Sequence, residues 1–202
     1  MQQEKKKRAV VAITGASGVT IGIRLLKILL LDNADVFCIV SDSASEIISA
    51  ETGFSDAKNA LENLLSDDQK QKLNSIKFYD EHNFYTPPAS GSFYFDAMAI
   101  APCSMKTLGK LAHGIADNLI VRSAEVALKE RRRIVVCPRE TPLALTHIKN
   151  METLCLAGAV ILPPMISLYN KPKTVSDVAD FISARIAQSM GFNQSVFKEW
   201  AL

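Results

Sequence analysis

The chain has few of the residues that would organise a metal centre or a disulfide framework. Its 202 residues include only four cysteines and three histidines, and no Cys-x-x-Cys pair occurs. His82, His113 and His147 are isolated from one another in the sequence. Three of the cysteines lie in or at the end of apolar runs, where a free thiol packs as a small hydrophobic group. We therefore predict reduced cysteines, no metal site and a metal-free mechanism.

An excess of charge of one sign and a long apolar run are also lacking. The formal net charge is +2, with 23 Lys and Arg against 21 Asp and Glu, and a basic lead-in occupies residues 1–8. This balance gives no reason to expect nucleic acid or a membrane surface as a partner. The apolar segment Ala9–Ile13 is too short for a signal peptide or a bilayer span. We expect a cytoplasmic protein.

The apolar segments alternate between short strands and helices. Strands are predicted at Val10–Thr14, Val36–Val40, Ile76–Tyr79, Ala97–Ala101, Ile134–Cys137 and Val160–Leu162. Strands that read as continuous apolar runs between helices indicate a doubly wound α/β domain of Rossmann or flavodoxin type. Such a domain has a mainly parallel sheet with helices on both faces. We place this single domain at residues 9–192 and a C-terminal tail that closes its site at 193–202.

Three details of the helices follow from the same pattern. Residues 54–75 read as polar and helical, and Ser43 is the predicted cap of the helix before them. Thr174, with Asp177 three residues on, resembles a capping box that opens the last helix. The residues of that helix expected to point inward are Val175, Val178, Ile182 and Ile186.

Glycines, hydroxyl residues and cations occupy the predicted carboxyl ends of the strands, where such sheets bind ligands. The turn Ser104–Thr107 offers helix N–H groups, hydroxyls and an ammonium, which favour an anion or a polar heterocycle. An ordinary corner capped by Ser104 is the alternative. The first turn, Gly15-x-x-Gly18-x-x-x-Gly22, is not a dinucleotide fingerprint, and Ser41 stands where an acidic residue would hold a ribose. These features favour a mononucleotide.

A second group of cations lies further along the chain. Arg122 and Lys129 are seven residues apart on one predicted helix and share a face, and Arg139–Glu140 follows the next strand. Cations that converge at one strand end would hold or expel a substrate phosphate, and the glutamate could relay a proton. The alternative is an i,i+4 pair of Glu125 and Lys129 with a solvated turn at Arg131–Arg133.

These segments together resemble the flavin prenyltransferases of the UbiX type. The matching motifs are Gly15–Gly18, Ala101–Thr107, Ala127–Arg132, Pro138–Leu143 and Pro163-Pro164 with Tyr169. The resemblance implies transfer of a dimethylallyl group from dimethylallyl monophosphate to N5 and C6 of reduced FMN. It also implies a large homo-oligomer, typically a dodecamer, and delivery of prenylated FMN to a UbiD-type decarboxylase. The chain departs from the family pattern at Thr20-Ile21, Asp42 and Asn170–Pro172. These departures concern the details of substrate binding and not the expected reaction.

The resemblance also implies roles for individual residues. Those expected to contact FMN are Gly15, Ala16, Ser17, Ser41, Ser104, Met105, Lys106, Thr107 and Arg139. Those expected to hold the dimethylallyl phosphate are Ser90, Arg122, Lys129, Glu140, Tyr169 and Arg185, with Trp200 closing over the prenyl chain. Ser17, Glu140 and Lys129 are the expected catalytic residues. The aromatic-rich loop 80–95 and Trp200 suggest that sites are completed between subunits.

Two other functions fit parts of the pattern. FMN-dependent decarboxylases of cysteine conjugates contain a motif similar to Leu111–Asn118 of this chain. They carry Pro-x-Met-Asn, however, where this chain has Pro138–Thr141. A non-catalytic FMN-binding protein would keep the turns at the strand ends. It would not need the phosphate-binding residues together.

Overall fold

The computed structural model describes residues 6–197, and these form one parallel sheet covered on both faces. The strands are Arg8–Ile13 (β1), Asp35–Val40 (β2), Ile76–Asp80 (β3), Ala97–Cys103 (β4), Arg133–Pro138 (β5) and Val160–Ile161 (β6). Their order across the sheet is β3-β2-β1-β4-β5-β6, and every pairing is parallel. The predicted doubly wound α/β fold is confirmed.

Helices connect the strands and lie on the two faces of the sheet. Within residues 6–197 they are Val19–Leu31 (α1), Asp42–Thr52 (α2), Ala57–Asn63 (α3), Asp67–Lys70 (α4), Met105–Ala112 (α5), Leu119–Lys129 (α6), Leu145–Leu156 (α7) and Val175–Met190 (α8). Side chains of α1, α2, α3 and α8 share one apolar core, and those of α5, α6 and α7 share another. Among the described residues, no helix has the length and apolar character needed to cross a membrane.

The central strand β1 explains why there are two cores. Its side chains alternate between the faces, so Val11 and Ile13 join the core under α1 while Val10 and Ala12 join the core under α6. All four are fully buried. Apolar side chains are therefore required on both faces from Ala9 to Ile13, and this is the reason for the continuous apolar run. Burial of each larger side chain contributes about 1.5–3 kcal/mol.

One prediction about the helices is confirmed and one is wrong. Residues 54–75 are largely helical, as expected, and they are divided into α3, α4 and a 3₁₀ turn because side chains inside the segment start new helices. Asp56 accepts a hydrogen bond from the Asn59 N–H at 2.8 Å, and Ser66 caps α4. Val175, expected to point inward, is 84% exposed because it is the first residue of α8 and lies beyond the core.

Other expectations hold. The capping box is formed, since Thr174 Oγ1 accepts from the Asp177 N–H at 3.1 Å and Asp177 accepts from the Thr174 N–H at 3.0 Å. Cys38, Cys103 and Cys137 are buried and free. Burial raises the pKa of all three thiols, that of Cys137 to about 12, so they pack as neutral apolar groups.

Candidate functional site

The strand order creates a crevice between β1 and β4. From β1 the chain winds outward through β2 and β3, and it then returns to the other side of β1 to form β4, β5 and β6. The carboxyl ends of β1 and β4 therefore meet at a topological switch point, which is where open α/β sheets bind ligands. This edge brings the predicted turns after β1, β4 and β5 to one place.

Hydrogen bonds of the Thr14 side chain connect the two sides of this crevice. Its hydroxyl donates to the Pro102 carbonyl at 2.9 Å and accepts from the Ser104 N–H at 2.8 Å. The side chain is 1% exposed. One buried hydroxyl thus sets the spacing between the turn after β1 and the turn after β4. Sequence reasoning missed this role because the partners lie about 90 residues further along the chain.

Glycine and a distant carboxylate shape the first turn. A Cβ at Gly22 would lie 2.2 Å from the Ala101 carbonyl oxygen, so glycine lets α1 pack directly on β4. Gly18 has a φ of +93°, in the left-handed region that favours glycine. Glu51 accepts from the Gly18 N–H at 3.0 Å and the Val19 N–H at 3.2 Å. The N-terminus of α1 therefore already has an anionic partner within the chain.

Among the described residues, no carboxylate accepts a hydrogen bond from the first turn of α5. Ser104 caps the helix by accepting from the Thr107 N–H at 3.2 Å, and the two hydroxyl oxygens are 3.0 Å apart. The predicted cap at Ser104 is thus confirmed. It leaves the first-turn amides facing the crevice edge, since such amides have no acceptor within the helix. Lys106 is exposed in the same turn, and Met105 is half-buried. The turn suits a phosphate monoester.

Arg139 joins the end of β5 to the first turn. Its N–H donates to the Cys103 carbonyl at 3.1 Å, and its Nε donates to the Ser17 carbonyl at 3.2 Å. The predicted FMN-contacting segments after β1, β4 and β5 are therefore adjacent. Glu140 follows at the same edge, exposed, and accepts from the Thr141 N–H at 2.9 Å.

Ser41, another predicted FMN contact, is engaged in the structure of the helix that follows it. It is 4% exposed and accepts from the Ala44 N–H at 3.1 Å, which makes it the cap of α2. The prediction that Ser43 is the cap is wrong, because α2 begins two residues earlier than the sequence pattern suggested. The Ser43 hydroxyl lies 3.2 Å from that of Ser41.

The expected convergence of cations at one strand end does not occur within one chain. Helix α6 runs antiparallel to the strands, and its eleven residues span about 16 Å. It begins near the carboxyl edge, where the Leu119 N–H donates to the Glu81 carbonyl at 2.7 Å. It ends at Lys129, just before β5 enters the sheet at its amino edge. Lys129 therefore lies at the opposite edge of the sheet from Arg139–Glu140.

Arg122 and Lys129 do share a face of α6, as predicted. Arg122 Nε donates to the Ala89 carbonyl at 3.1 Å, and a Cβ at Gly91 would lie 2.9 Å from Lys129 Nζ. Both cations therefore border the loop that contains the predicted donor-binding residue Ser90. We call residues 89–93 the donor loop.

The structural alternative for these cations is wrong in its details. Glu125 pairs with Arg122 at 2.8 Å, and Lys129 pairs with Glu130 at 2.7 Å. The hydrogen bond and charge of Lys129 hold the pKa of the Glu130 carboxyl below its usual value. Arg132 is not solvated either, because its guanidinium donates to two carbonyls of the donor loop.

Tyr169 and Arg185 lie on a third surface. Arg185 is an exposed residue of α8, which covers the face of the sheet opposite to α6, and its Nη1 donates to Gln188 at 2.5 Å. Tyr169 is 72% exposed, and its ring packs edge-on against Phe181 of α8 at 6.0 Å. Trp200 lies outside the described residues. The residues predicted to hold the donor thus occupy three separate surfaces of one chain.

His82 is isolated in the sequence but not in space. Its Nε2 lies 2.9 Å from Asp42 Oδ2, and this hydrogen bond raises the pKa of the histidine. Glu81 is close by, so these three side chains form an exposed group with ligand-type atoms within 4.8 Å of one another. Glu81 itself accepts from the Asp42 N–H at 2.9 Å. No local sequence pattern marks this group, because Asp42 lies 40 residues before His82, and the contacts link the end of β3 to α2.

Comparison with known proteins assigns the family. The model of the Flavoprotein family matches residues 1–187. Flavin prenyltransferase UbiX of Methanocaldococcus jannaschii is 42% identical over 194 residues, which covers 96% of this chain and 98% of that protein. The crystal structure of AnUbiX (PadA1) in complex with FMN and dimethylallyl pyrophosphate has a TM-score of 0.86 at 34% identity, over 97% of this chain and 98% of that one.

A second solved structure extends the comparison to an assembled protein. The dodecameric FMN-dependent UbiX-like decarboxylase from Escherichia coli O157:H7 has a TM-score of 0.83 at 32% identity, over 96% of this chain and 100% of that one. Both the sequence and the fold agree over nearly the full length. The chain therefore belongs to the flavoprotein family and, within it, to the UbiX flavin prenyltransferases.

Proposed function

We propose that this prenyltransferase joins the dimethylallyl group of dimethylallyl monophosphate to N5 and C6 of reduced FMN, in pockets that several copies of the chain build together. The observation that carries the proposal is the separation of Lys129 from Arg139–Glu140 at opposite edges of the sheet. Groups that must act on one phosphate can meet only if a second copy brings its amino edge to the first copy's crevice. The crystal structure of AnUbiX contains FMN and dimethylallyl pyrophosphate, and this supports a flavin and an allylic phosphate as the two ligands of this chain.

FMN binds at the switch-point crevice. The first turn of α5 and Lys106 provide N–H groups and a positive charge for a phosphate monoester. Gly15, Ala16 and Ser17 border the flavin on the β1 side, and Arg139 borders it on the β5 side. The reduced flavin, when bound, supplies the nucleophilic nitrogen and carbon.

The donor is activated by positive charge. When the allylic C–O bond breaks, its electron pair leaves with the phosphate, and Arg122, Lys129 and Arg139 stabilise that anion in place of a metal ion. Ser17 and Glu140 are exposed at the crevice and exchange protons with the reacting groups. Tyr169 and Arg185 from α8, with Trp200, complete the enclosure around the donor.

The exposed apolar side chains near the end of the sheet support assembly. Leu145, Leu156, Met165 and Leu168 are each more than 70% exposed, on α7 and on the segment after β6. Apolar patches of this kind mark surfaces that other proteins cover. We propose a homo-oligomer, a dodecamer as in the Escherichia coli protein. Its product, prenylated FMN, passes to a UbiD-type decarboxylase in the cytoplasm.

Mass spectrometry of the flavin tests the reaction. The protein is incubated without oxygen with reduced FMN and either dimethylallyl monophosphate or the diphosphate, with and without a chelator. We expect the monophosphate to increase the flavin mass by one C5H8 unit, whether or not the chelator is present. An unmodified flavin would contradict the proposal. It would then leave a cysteine-conjugate decarboxylase, detected by CO2 release, or a flavin carrier.

A further inference from the structure

Two hydrogen bonds bind Arg132 to the donor loop. Its Nη1 donates to the Phe93 carbonyl and its Nη2 to the Gly91 carbonyl, both at 2.7 Å. The same guanidinium stacks 4.4 Å from the centre of the Phe95 ring, which is fully buried. Arg132 is half-buried, whereas its neighbours Arg131 and Arg133 are exposed. A planar guanidinium that forks to two carbonyls and stacks on a ring has one orientation, which lysine cannot reproduce.

The Phe93 ring also holds the donor loop, because it packs edge-on against Phe37 with 4.9 Å between the ring centres. The loop follows a single 3₁₀ turn, and its Ser90 Oγ lies 2.8 Å from Ser92 Oγ. Arg122 supports it at the Ala89 carbonyl. Alternate carbonyls of the loop, at residues 89, 91 and 93, therefore accept from arginine side chains of α6 or of the turn that follows it.

The two hydrogen bonds from Arg132 to the loop, which we call the clamp, also keep the loop close to Lys129. A Cβ at Gly91 would lie 2.9 Å from Lys129 Nζ and 2.7 Å from a Glu130 carboxylate oxygen, so the backbone of the loop touches this ion pair. If the loop shifted outward by a few ångströms, the Ser90 hydroxyl and the Lys129 ammonium would no longer face one phosphate. The two hydrogen bonds from Arg132 thus hold the backbone of the loop beside the Lys129–Glu130 ion pair.

We propose that Arg132 is a positioning residue for the donor phosphate. It holds the donor loop against the end of α6, so that Ser90, Arg122 and Lys129 present one phosphate-binding surface to the crevice of a neighbouring copy. This inference rests on the proposed function of those three residues. It assigns Arg132 no contact with the substrate, and it leaves the FMN crevice, at the other edge of the sheet, unaffected.

Steady-state kinetics of full-length Arg132→Gln test this role, with Arg131→Gln as the matched control. Both variants remove one positive charge from the same turn, but only the first removes the clamp. We expect Arg132→Gln to raise the KM for dimethylallyl monophosphate at least about tenfold. The Kd for FMN should stay within about twofold of the wild-type value, and Arg131→Gln should change neither constant. Arg132→Lys, which reaches one carbonyl at most, should give an intermediate KM.

Two results would overturn the proposal. One is a KM for the donor that stays within about twofold of the wild-type value in Arg132→Gln. The other is an FMN Kd that rises in parallel with that KM, since this would indicate a general structural defect. If Arg132→Gln does not fold, Arg132→Lys is judged by the same two criteria. Wild-type protein that forms no prenylated FMN would instead refute the proposed function, and that result is recorded before any variant is compared.

Discussion

At the scale of single residues, the site depends on side chains that fasten one strand end to another. Thr14 connects the ends of β1 and β4, Arg139 connects the end of β5 to the first turn, and Glu51 holds the start of α1. Each of these contacts fixes the position of backbone groups in one of the turns. The crevice therefore owes its shape to a few polar contacts, and the removal of one of them has a measurable effect.

Thr14→Val is the clearest test at this scale. Valine has the same shape, but it leaves the half-buried Ser104 N–H without its acceptor. We expect a loss of about 1–3 kcal/mol in the free energy of unfolding, measured by urea denaturation. The Kd for FMN should rise severalfold because the turn after β4 loses its anchor. Thr153→Val on the exposed surface of α7 is the control, with an expected change within about 0.5 kcal/mol. Wild-type stability in Thr14→Val would contradict this account.

The sequence reveals those residues whose role follows from a local pattern, and it misses those whose partners lie far away along the chain. Gly18, Ser104 and Arg139 lie at the ends of apolar runs, so the rule that ligands bind at the carboxyl ends of parallel strands is enough to select them. Glu51 and Arg132 act on partners 33 and about 40 residues away, and no local pattern marks them. In the sequence, Arg132 is one of three consecutive arginines and reads as solvated.

At the scale of elements, periodicity predicted the helices that carry the site but not the details of their ends. The strands were predicted within a few residues because their apolar patterns are continuous. The segment 54–75 was predicted as helical without its divisions, because the capping contacts of Asp56 and Ser66 start separate helices and no apolar pattern marks them. The seven-residue spacing of Arg122 and Lys129 correctly gave their shared face. The spacing alone could not show that α6 ends at the amino edge of the sheet and so places Lys129 there.

The start of α8, the helix that carries Arg185, gives a prediction about pH. Hydrogen bonds from the Lys173 and Thr174 N–H groups lower the pKa of Asp177 in the folded protein. A carboxylate with a lowered folded-state pKa stabilises the protein above its unfolded-state pKa, and this contribution is lost as the pH falls through the folded-state value. We expect Asp177→Ala to have a lower Tm than wild type at pH 7, with a difference that shrinks as the pH falls below 3.8.

The control for that experiment is Glu46→Ala, which removes an exposed carboxylate from α2 without touching a helix cap. It measures the effect of one lost negative charge across the same pH range. A Tm difference between Asp177→Ala and wild type that does not change with pH would mean that the carboxylate does not cap α8. The capping box would then be present in the structure without contributing to the free energy of unfolding.

At the scale of the whole molecule, the predicted site residues are divided between the edges and a face of one sheet. The proposed FMN crevice and Glu140 lie at the carboxyl edge, Lys129 and the donor loop lie towards the amino edge, and Arg185 lies on the α8 face. That these residues form one site is our central claim, since it makes assembly a condition of activity. Sequence motifs predicted the residues but could not place them on different surfaces.

Activity of mixed oligomers tests this claim most directly. Lys129→Ala and Glu140→Gln are co-expressed with different tags, and oligomers that contain both are purified through both tags. We expect each variant alone to lose at least about 100-fold in the rate of prenylation, with FMN still bound to Glu140→Gln. The mixed oligomers should regain activity well above either variant, because some pockets receive both intact side chains from different copies.

Arg139→Ala mixed with Glu140→Gln is the matched control. These residues are adjacent at one edge, so every pocket takes both from the same copy and retains one defect. We predict recovery of prenylated FMN in the Lys129/Glu140 mixture and no recovery in the Arg139/Glu140 mixture. Equal activity in the two mixtures, or no recovery in the first, would contradict a site shared between copies.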